Sequence, residues 1–123
     1  MSIVKDQTPR PARKLFGRGI GPEKLRLRLA AGEKLRLIDL RSVPARERDG
    51  HIPGSSFIPL ADLRRRLAAA PEPEQPLVLI CSRGIRSRLA ALLAPATAPV
   101  YSLQGGIKAW KKRGFELIGA AGS

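Results

Sequence analysis

Apolar runs and helical spacings alternate along this chain. Leu77-Val78-Leu79-Ile80 is an apolar run without polar interruption, the pattern of a strand buried on both faces. Leu35-Arg36-Leu37-Ile38-Asp39-Leu40 reads as another buried strand, and Ser56-Phe57-Ile58 and Val100-Tyr101-Ser102-Leu103 as shorter ones. Helical spacings fall between them. Leu60, Leu63 and Leu67 recur at i, i+3 and i+7, with Arg64 to Arg66 on the outer face. Ile85, Leu89, Leu92 and Leu93 form one apolar helical face, stopped at Pro95. After a Gly105-Gly106 turn, Ile107 and Trp110, with Phe115, face a last helix toward the core. Leu25, Leu27 and Leu29 alternate as a strand would. Pro22 at the first helical position, Glu23 in the first turn and Gly32 as a stop favour a helix instead. Strands alternating with helices over a short chain predict an α/β domain: a parallel sheet with helices on both faces.

At 123 residues the chain is long enough for one domain with a core. Residues 1–18 carry Lys5, Arg10, Arg13, Lys14 and Arg18 against Asp6, with Pro9 and Pro11, and are expected to form a basic flexible arm. The domain proper is expected at 19–118 and a frayed tail at 119–123. Pro71-Glu72-Pro73-Glu74-Gln75-Pro76 reads as a stiff linker. No apolar run approaches the roughly 18 residues of a membrane span, and Met1 to Gln7 lack the apolar centre of a secretory signal. A single cysteine cannot close an internal disulfide, which fits a reducing, cytoplasmic setting. With one cysteine and one histidine, a structural zinc site is excluded.

The formal charge is +13, from 23 Lys and Arg against 10 Asp and Glu. It is read either as attraction for anions or as an Arg-rich composition with solvated basic faces. Aromatic residues are few and scattered, so nucleic acid is not the favoured partner.

The chemistry centres on Cys81. It follows the Leu77–Ile80 strand and precedes Ser82-Arg83-Gly84-Ile85-Arg86-Ser87, which opens a helix through Arg88 and Leu89. Unpaired N–H groups and the positive dipole end of that helix favour an anion there. Arg83, Arg86 and Arg88 add positive charge. Each feature is expected to lower the Cys81 pKa and make its thiolate a nucleophile. A packing cysteine would gain nothing from such a loop.

Other candidates stand nearby in the predicted fold. Asp39 and Arg41 read as a charge pair at the carboxyl edge of the sheet, where open α/β folds place ligands. His51, within Gly50-His51-Ile52-Pro53-Gly54, is read as bracing a turn rather than as a general base.

Four segments together resemble the rhodanese-like domain. They are Leu37-Ile38-Asp39-Leu40-Arg41, Gly50-His51-Ile52-Pro53-Gly54-Ser55, Cys81-x-x-Gly84-Ile85-Arg86-Ser87 and Leu103-Gln104-Gly105-Gly106-Ile107-Lys108-Ala109-Trp110. Where the family commonly has an acidic residue followed by an aromatic, Glu47 is followed here by Arg48. The resemblance implies a three-layer domain with a central, mostly parallel sheet of about five strands flanked by helices. It implies that Cys81 takes sulfane sulfur from a donor such as thiosulfate and passes it, as a persulfide, to a thiophilic acceptor. Residues 82–87 would cradle the outer sulfur, with Asp39, Arg41 and His51 in support. No metal or organic cofactor is implied. The expected partners are a small anionic donor and a thiol or protein acceptor, including an acidic sulfur carrier.

Two other readings remain at this level. The domain could be a persulfide carrier or docking module, for an acidic carrier protein or a tRNA thiolation pathway, without turnover of its own. A phosphatase or arsenate reductase of the Cys-x5-Arg type fits less well, because only four residues separate Cys81 from Arg86.

Overall fold

Five strands and five helices alternate through the described residues. They are β1 (Arg18–Ile20), α1 (Pro22–Ala30), β2 (Arg36–Asp39), α2 (Val43–Asp49), β3 (Ser56–Phe57), α3 (Leu60–Ala69), β4 (Leu77–Ile80), α4 (Ile85–Leu93), β5 (Val100–Leu103) and α5 (Gly106–Lys112). The computed structural model describes residues 18–69, 75–94 and 98–119. Residues 1–17 of the expected arm, residues 71–74 of the linker, the Pro95 stop and residues 120–123 lie outside the described residues.

The strands form one sheet in the order β1-β5-β4-β2-β3, and every pairing is parallel. β4 lies at its centre, and all four of its residues are buried. Leu77 and Leu79 pack on one face with Ile38, Leu63, Leu67 and Ala91; Val78 and Ile80 pack on the other with Leu25, Leu37, Ile107 and Trp110. A strand covered on both faces needs apolar side chains at every position, which explains its uninterrupted run.

α1 is a helix despite its alternating leucines. Leu25 is fully buried while Leu27 is exposed, so one leucine anchors the helix and the next faces water. Trp110 is in the core as expected; its ring meets Phe115 edge-on at 5.2 Å and its Nε1–H donates to the Glu116 carbonyl at 2.8 Å. Arg18, assigned from sequence to the arm, belongs to β1 and pairs with Tyr101 across the ladder.

α4 departs from its sequence pattern. Ile85, Leu89, Leu92 and Leu93 are 74%, 60%, 48% and 64% exposed, and Ser87, Ala90 and Ala91 face the sheet instead. Small side chains let the helix lie close over β4 and β5, and the bulkier face is left outside. No helix among the described residues is long and apolar enough to cross a membrane.

Candidate active site

Cys81 is the first residue beyond β4, at the carboxyl end of the central strand. From there the chain turns through Ser82, Arg83 and Gly84 into α4. Gly84 caps the helix with φ 89°, a left-handed conformation that glycine adopts at little cost. A Cβ at this position would lie 2.9 Å from the Gly105 nitrogen. The turn therefore needs glycine on two counts.

This turn wraps the sulfur with donors. The Gly84 N–H reaches Sγ at 3.1 Å, the Ser87 N–H at 3.4 Å, and the Ser87 hydroxyl oxygen lies 3.4 Å away. Burial alone pushes the Cys81 thiol up. The Ser87 hydroxyl and the N–H groups of Ser87, Gly84 and Arg83 outweigh it, so the thiol ionises below its ordinary range. The guanidinium groups expected to share this task are not among the main causes. Arg83, Arg86 and Arg88 are exposed, where water and salt screen their charge.

α5 holds the loop from behind. The Ile107 N–H donates to the Cys81 carbonyl at 2.9 Å and the Lys108 N–H to the Ser82 carbonyl at 3.0 Å. Gly106, with φ 62°, lies so near that a Cβ would collide with the Cys81 carbonyl oxygen. Gly105-Gly106, read from sequence as a turn, is thus the rear wall of the loop.

One participant was missed in the sequence. Ser102 of β5 is buried, and its Oγ lies 2.7 Å from Ser87 Oγ and 3.5 Å from the Gly84 carbonyl oxygen. The only signal was a hydroxyl in an otherwise apolar strand. Nothing in the spacing tied it to a residue on α4.

In front of the sulfur is a pocket of about 360 Å³. Cys81, Ser82, Arg83, Ile85 and Arg86 line one side, and Leu40, Arg41, Ser42 and Ala45 the other. Arg41 grips Asp39 through two bonds, Nε to Oδ1 at 3.0 Å and Nη2 to Oδ2 at 2.7 Å. It also donates to the Gly50 carbonyl at 2.6 Å. Both side chains are buried, so the pair ties the end of β2 to the chain leaving α2. Asp39 does not line the pocket; Arg41 does.

His51 is elsewhere. Its backbone exchanges two 2.9 Å hydrogen bonds with Ile118, and its side chain borders a separate cavity with Val43, Arg46, Glu47 and Gly119. The structure does not bring it to Cys81. Among the described residues there is no grouping of three or more His, Cys, Asp or Glu able to hold a metal ion.

A buried sulfur ringed by N–H donors can hold negative charge and attack an electrophile in the pocket. Comparison with known proteins agrees on the surrounding fold. The family model of the rhodanese-like domain matches residues 21–113. The chain belongs to this family. It is 37% identical over 115 residues to a probable adenylyltransferase/sulfurtransferase MoeZ of Mycobacterium tuberculosis, a match covering 90% of this chain and 28% of that protein. The chain thus spans well under a third of that relative. A sulfurtransferase of Allochromatium vinosum is 32% identical over 105 residues, covering 84% of this chain and 96% of the relative. The crystal structure of a rhodanese-related protein from Thermoplasma volcanium superposes with a TM-score of 0.70 at 25% identity, covering 83% of this chain and 98% of that one. The rhodanese-like fold is therefore present with all five of its parallel strands.

Proposed function

We propose that this protein is a sulfurtransferase that carries sulfane sulfur as a persulfide on Cys81. The observation behind this reading is the sulfur itself, held by the Gly84 and Ser87 N–H groups in a short Cys-x4-Arg turn. A thiolate so held attacks the outer sulfur of thiosulfate. A new S–S bond forms, the old one breaks, and sulfite departs with its electron pair. The product on the protein is a perthiolate of the same charge as the starting thiolate, so no proton moves and no general base is required. An acceptor nucleophile, cyanide or a thiolate, then attacks the outer sulfur, and Cys81 leaves as thiolate.

In this reading the N–H groups of residues 82–87 stabilise the outer sulfur, as a nest of backbone donors stabilises an anion. Arg83 and Arg86, on the pocket rim, attract the anionic donor. Arg41, fixed by Asp39, shapes the opposite wall. His51 supports the fold around Gly50 rather than the reaction. The transferring unit is residues 19–118, and its acceptor is a thiol, free or on a protein.

Intact-mass measurement after thiosulfate treatment tests this directly. The expected result is a gain of about one sulfur mass on the sole thiol, removed by cyanide. An alkylatable Cys81 that gains no sulfur from thiosulfate or from a persulfide donor would overturn it.

A further inference from the structure

The apolar stripe on the outside of α4 has no task in sulfur chemistry. Ile85, Leu89, Leu92 and Leu93 are all more than 45% exposed on a nine-residue helix. A contiguous apolar surface of this kind marks a place where something binds. Three of these residues border a groove of about 620 Å³, closed on its far side by Gly19 and Gln104 and flanked by Arg83 and Arg88. A small donor such as thiosulfate needs no such volume. Arg83 and Ile85 also line the pocket of Cys81, so the two hollows share a wall.

We propose that this groove docks an acidic protein segment bearing apolar side chains, the acceptor to which Cys81 delivers its sulfur. The identity of the occupant follows from charge. Among the described residues no carboxylate lines the groove, while two arginines do. The ion pairs among the described residues do not involve Arg83 or Arg88. A second copy of the chain brings a charge of +13 against it. Residues 1–17, with Leu15-Phe16, bring Lys5, Arg10, Arg13 and Lys14 against Asp6. Both are repelled by the arginines. A chain that places carboxylates on Arg83 and Arg88 and leucine-like side chains on Leu89 and Leu92 satisfies both features. The delivery role rests on the sulfur-transfer reading; the docking itself does not.

The test uses the full chain, free of bound sulfur, and three fluorescent peptides. One combines glutamate with leucine, one replaces glutamate by lysine, and one replaces leucine by serine. The glutamate–leucine peptide is expected to bind at least roughly tenfold tighter than either control, with an advantage over the lysine peptide that shrinks as salt rises. Leu89→Gln/Leu92→Gln is expected to lose at least roughly tenfold in this binding, with persulfide discharge to cyanide unchanged. Arg88→Glu provides an independent second variant with the same expected loss. Equal binding of the three peptides, or binding untouched by both variants, would overturn the proposal. So would self-association of the chain that the leucine variant abolishes, or tighter peptide binding in Leu15→Ser/Phe16→Ser. For delivery, a cysteine placed in the glutamate–leucine peptide is expected to discharge the persulfide faster than free cysteine; equal rates would remove the acceptor role. Peptide binding that persists where sulfur loading fails supports the docking face and removes the transfer reading alone.

Discussion

The hydroxyl oxygens of Ser87 and Ser102 lie 2.7 Å apart, and Ser87 in turn lies 3.4 Å from the Cys81 sulfur. Ser102 comes from β5 and Ser87 from the first turn of α4, so the central sheet reaches the sulfur through two side chains. If Ser102 donates to Ser87, the Ser87 proton is directed at the sulfur. An anion there strengthens the whole chain of bonds.

Ser87→Ala removes the strongest of the groups that lower the Cys81 pKa. Its thiol is expected to ionise at higher pH, and persulfide loading near pH 6 to slow by about fivefold, the worth of roughly 1 kcal/mol of hydrogen bonding. At alkaline pH the variant catches up, because both thiols are then ionised and the more basic thiolate is the better nucleophile. Ser102→Ala is expected to shift the pH profile in the same direction by less. The double variant should shift no further than Ser87→Ala alone, since Ser102 acts through Ser87. Stopped-flow loading rates across pH check all three.

Cys81 also links stability to pH. Its folded-state pKa lies below that of the free thiol, so the thiolate contributes stability that is complete above about pH 8.5 and is lost as pH falls through the folded-state pKa. Cys81→Ser is expected to abolish transfer and to remove this dependence. Urea unfolding of the two proteins is expected to show a stability difference that shifts in favour of the native chain as pH rises.

Arg86 is exposed on the rim of the Cys81 pocket and is not among the main causes of the lowered thiol pKa. Its effect is therefore expected in donor binding. Arg86→Ala should weaken use of thiosulfate by about tenfold in kcat/KM while leaving a neutral persulfide donor nearly unchanged, consistent with loss of a charge-assisted contact of roughly 1.5 kcal/mol. Equal losses with both donors would mean that Arg86 only shapes the loop.

Much of the fold was legible because β4 is an unbroken apolar run and β5 is a short β-branched and aromatic one. Leu77–Ile80 and Val100–Leu103 are strands as read. β1 was not legible. Three residues, one a glycine, give no alternation, and the strand exists because β5 offers a parallel ladder to Arg18–Ile20. α2 was hidden for a related reason: Ala45 is its one buried residue, and its start is fixed by the Ser42 cap rather than by an apolar face. On α4 periodicity identified the helix and its leucine stripe, but could not show that alanine and serine would take the inner side. At the site, Cys81 and its loop stood out in sequence. The backbone N–H groups that lower the thiol pKa were anticipated at the helix start, but the Ser87 hydroxyl beside the sulfur was not, because its approach depends on the left-handed turn at Gly84.

Gly106→Ala tests the rear wall of that loop. The added methyl meets backbone of Cys81 and Ser82, which cannot move without losing the bonds from Ile107 and Lys108. With the left-handed φ, the expected cost is about 2 kcal/mol or more in urea unfolding. Persulfide loading should slow in the fraction that remains folded, since the displaced carbonyls carry the sulfur with them.

Asp39 offers the sharpest separation of fold from chemistry. It is fully buried and holds Arg41 in a bidentate grip, with Arg46 Nε a further 3.8 Å from its Oδ2. Neutralising it leaves the buried Arg41 guanidinium without its anion, a change that typically costs about 3–5 kcal/mol. Asp39→Asn is therefore expected to lower the urea midpoint strongly. Asp39→Asn/Arg41→Met, which removes both charges, should recover much of the loss, because an apolar side chain of similar length has no charge to leave stranded. If Asp39 acts only by fixing Arg41, the folded fraction of the single variant still loads sulfur on Cys81. A thermally stable Asp39→Asn that cannot be loaded would instead place the carboxylate in the reaction. Unfolding curves and intact-mass loading on the same preparations decide between them.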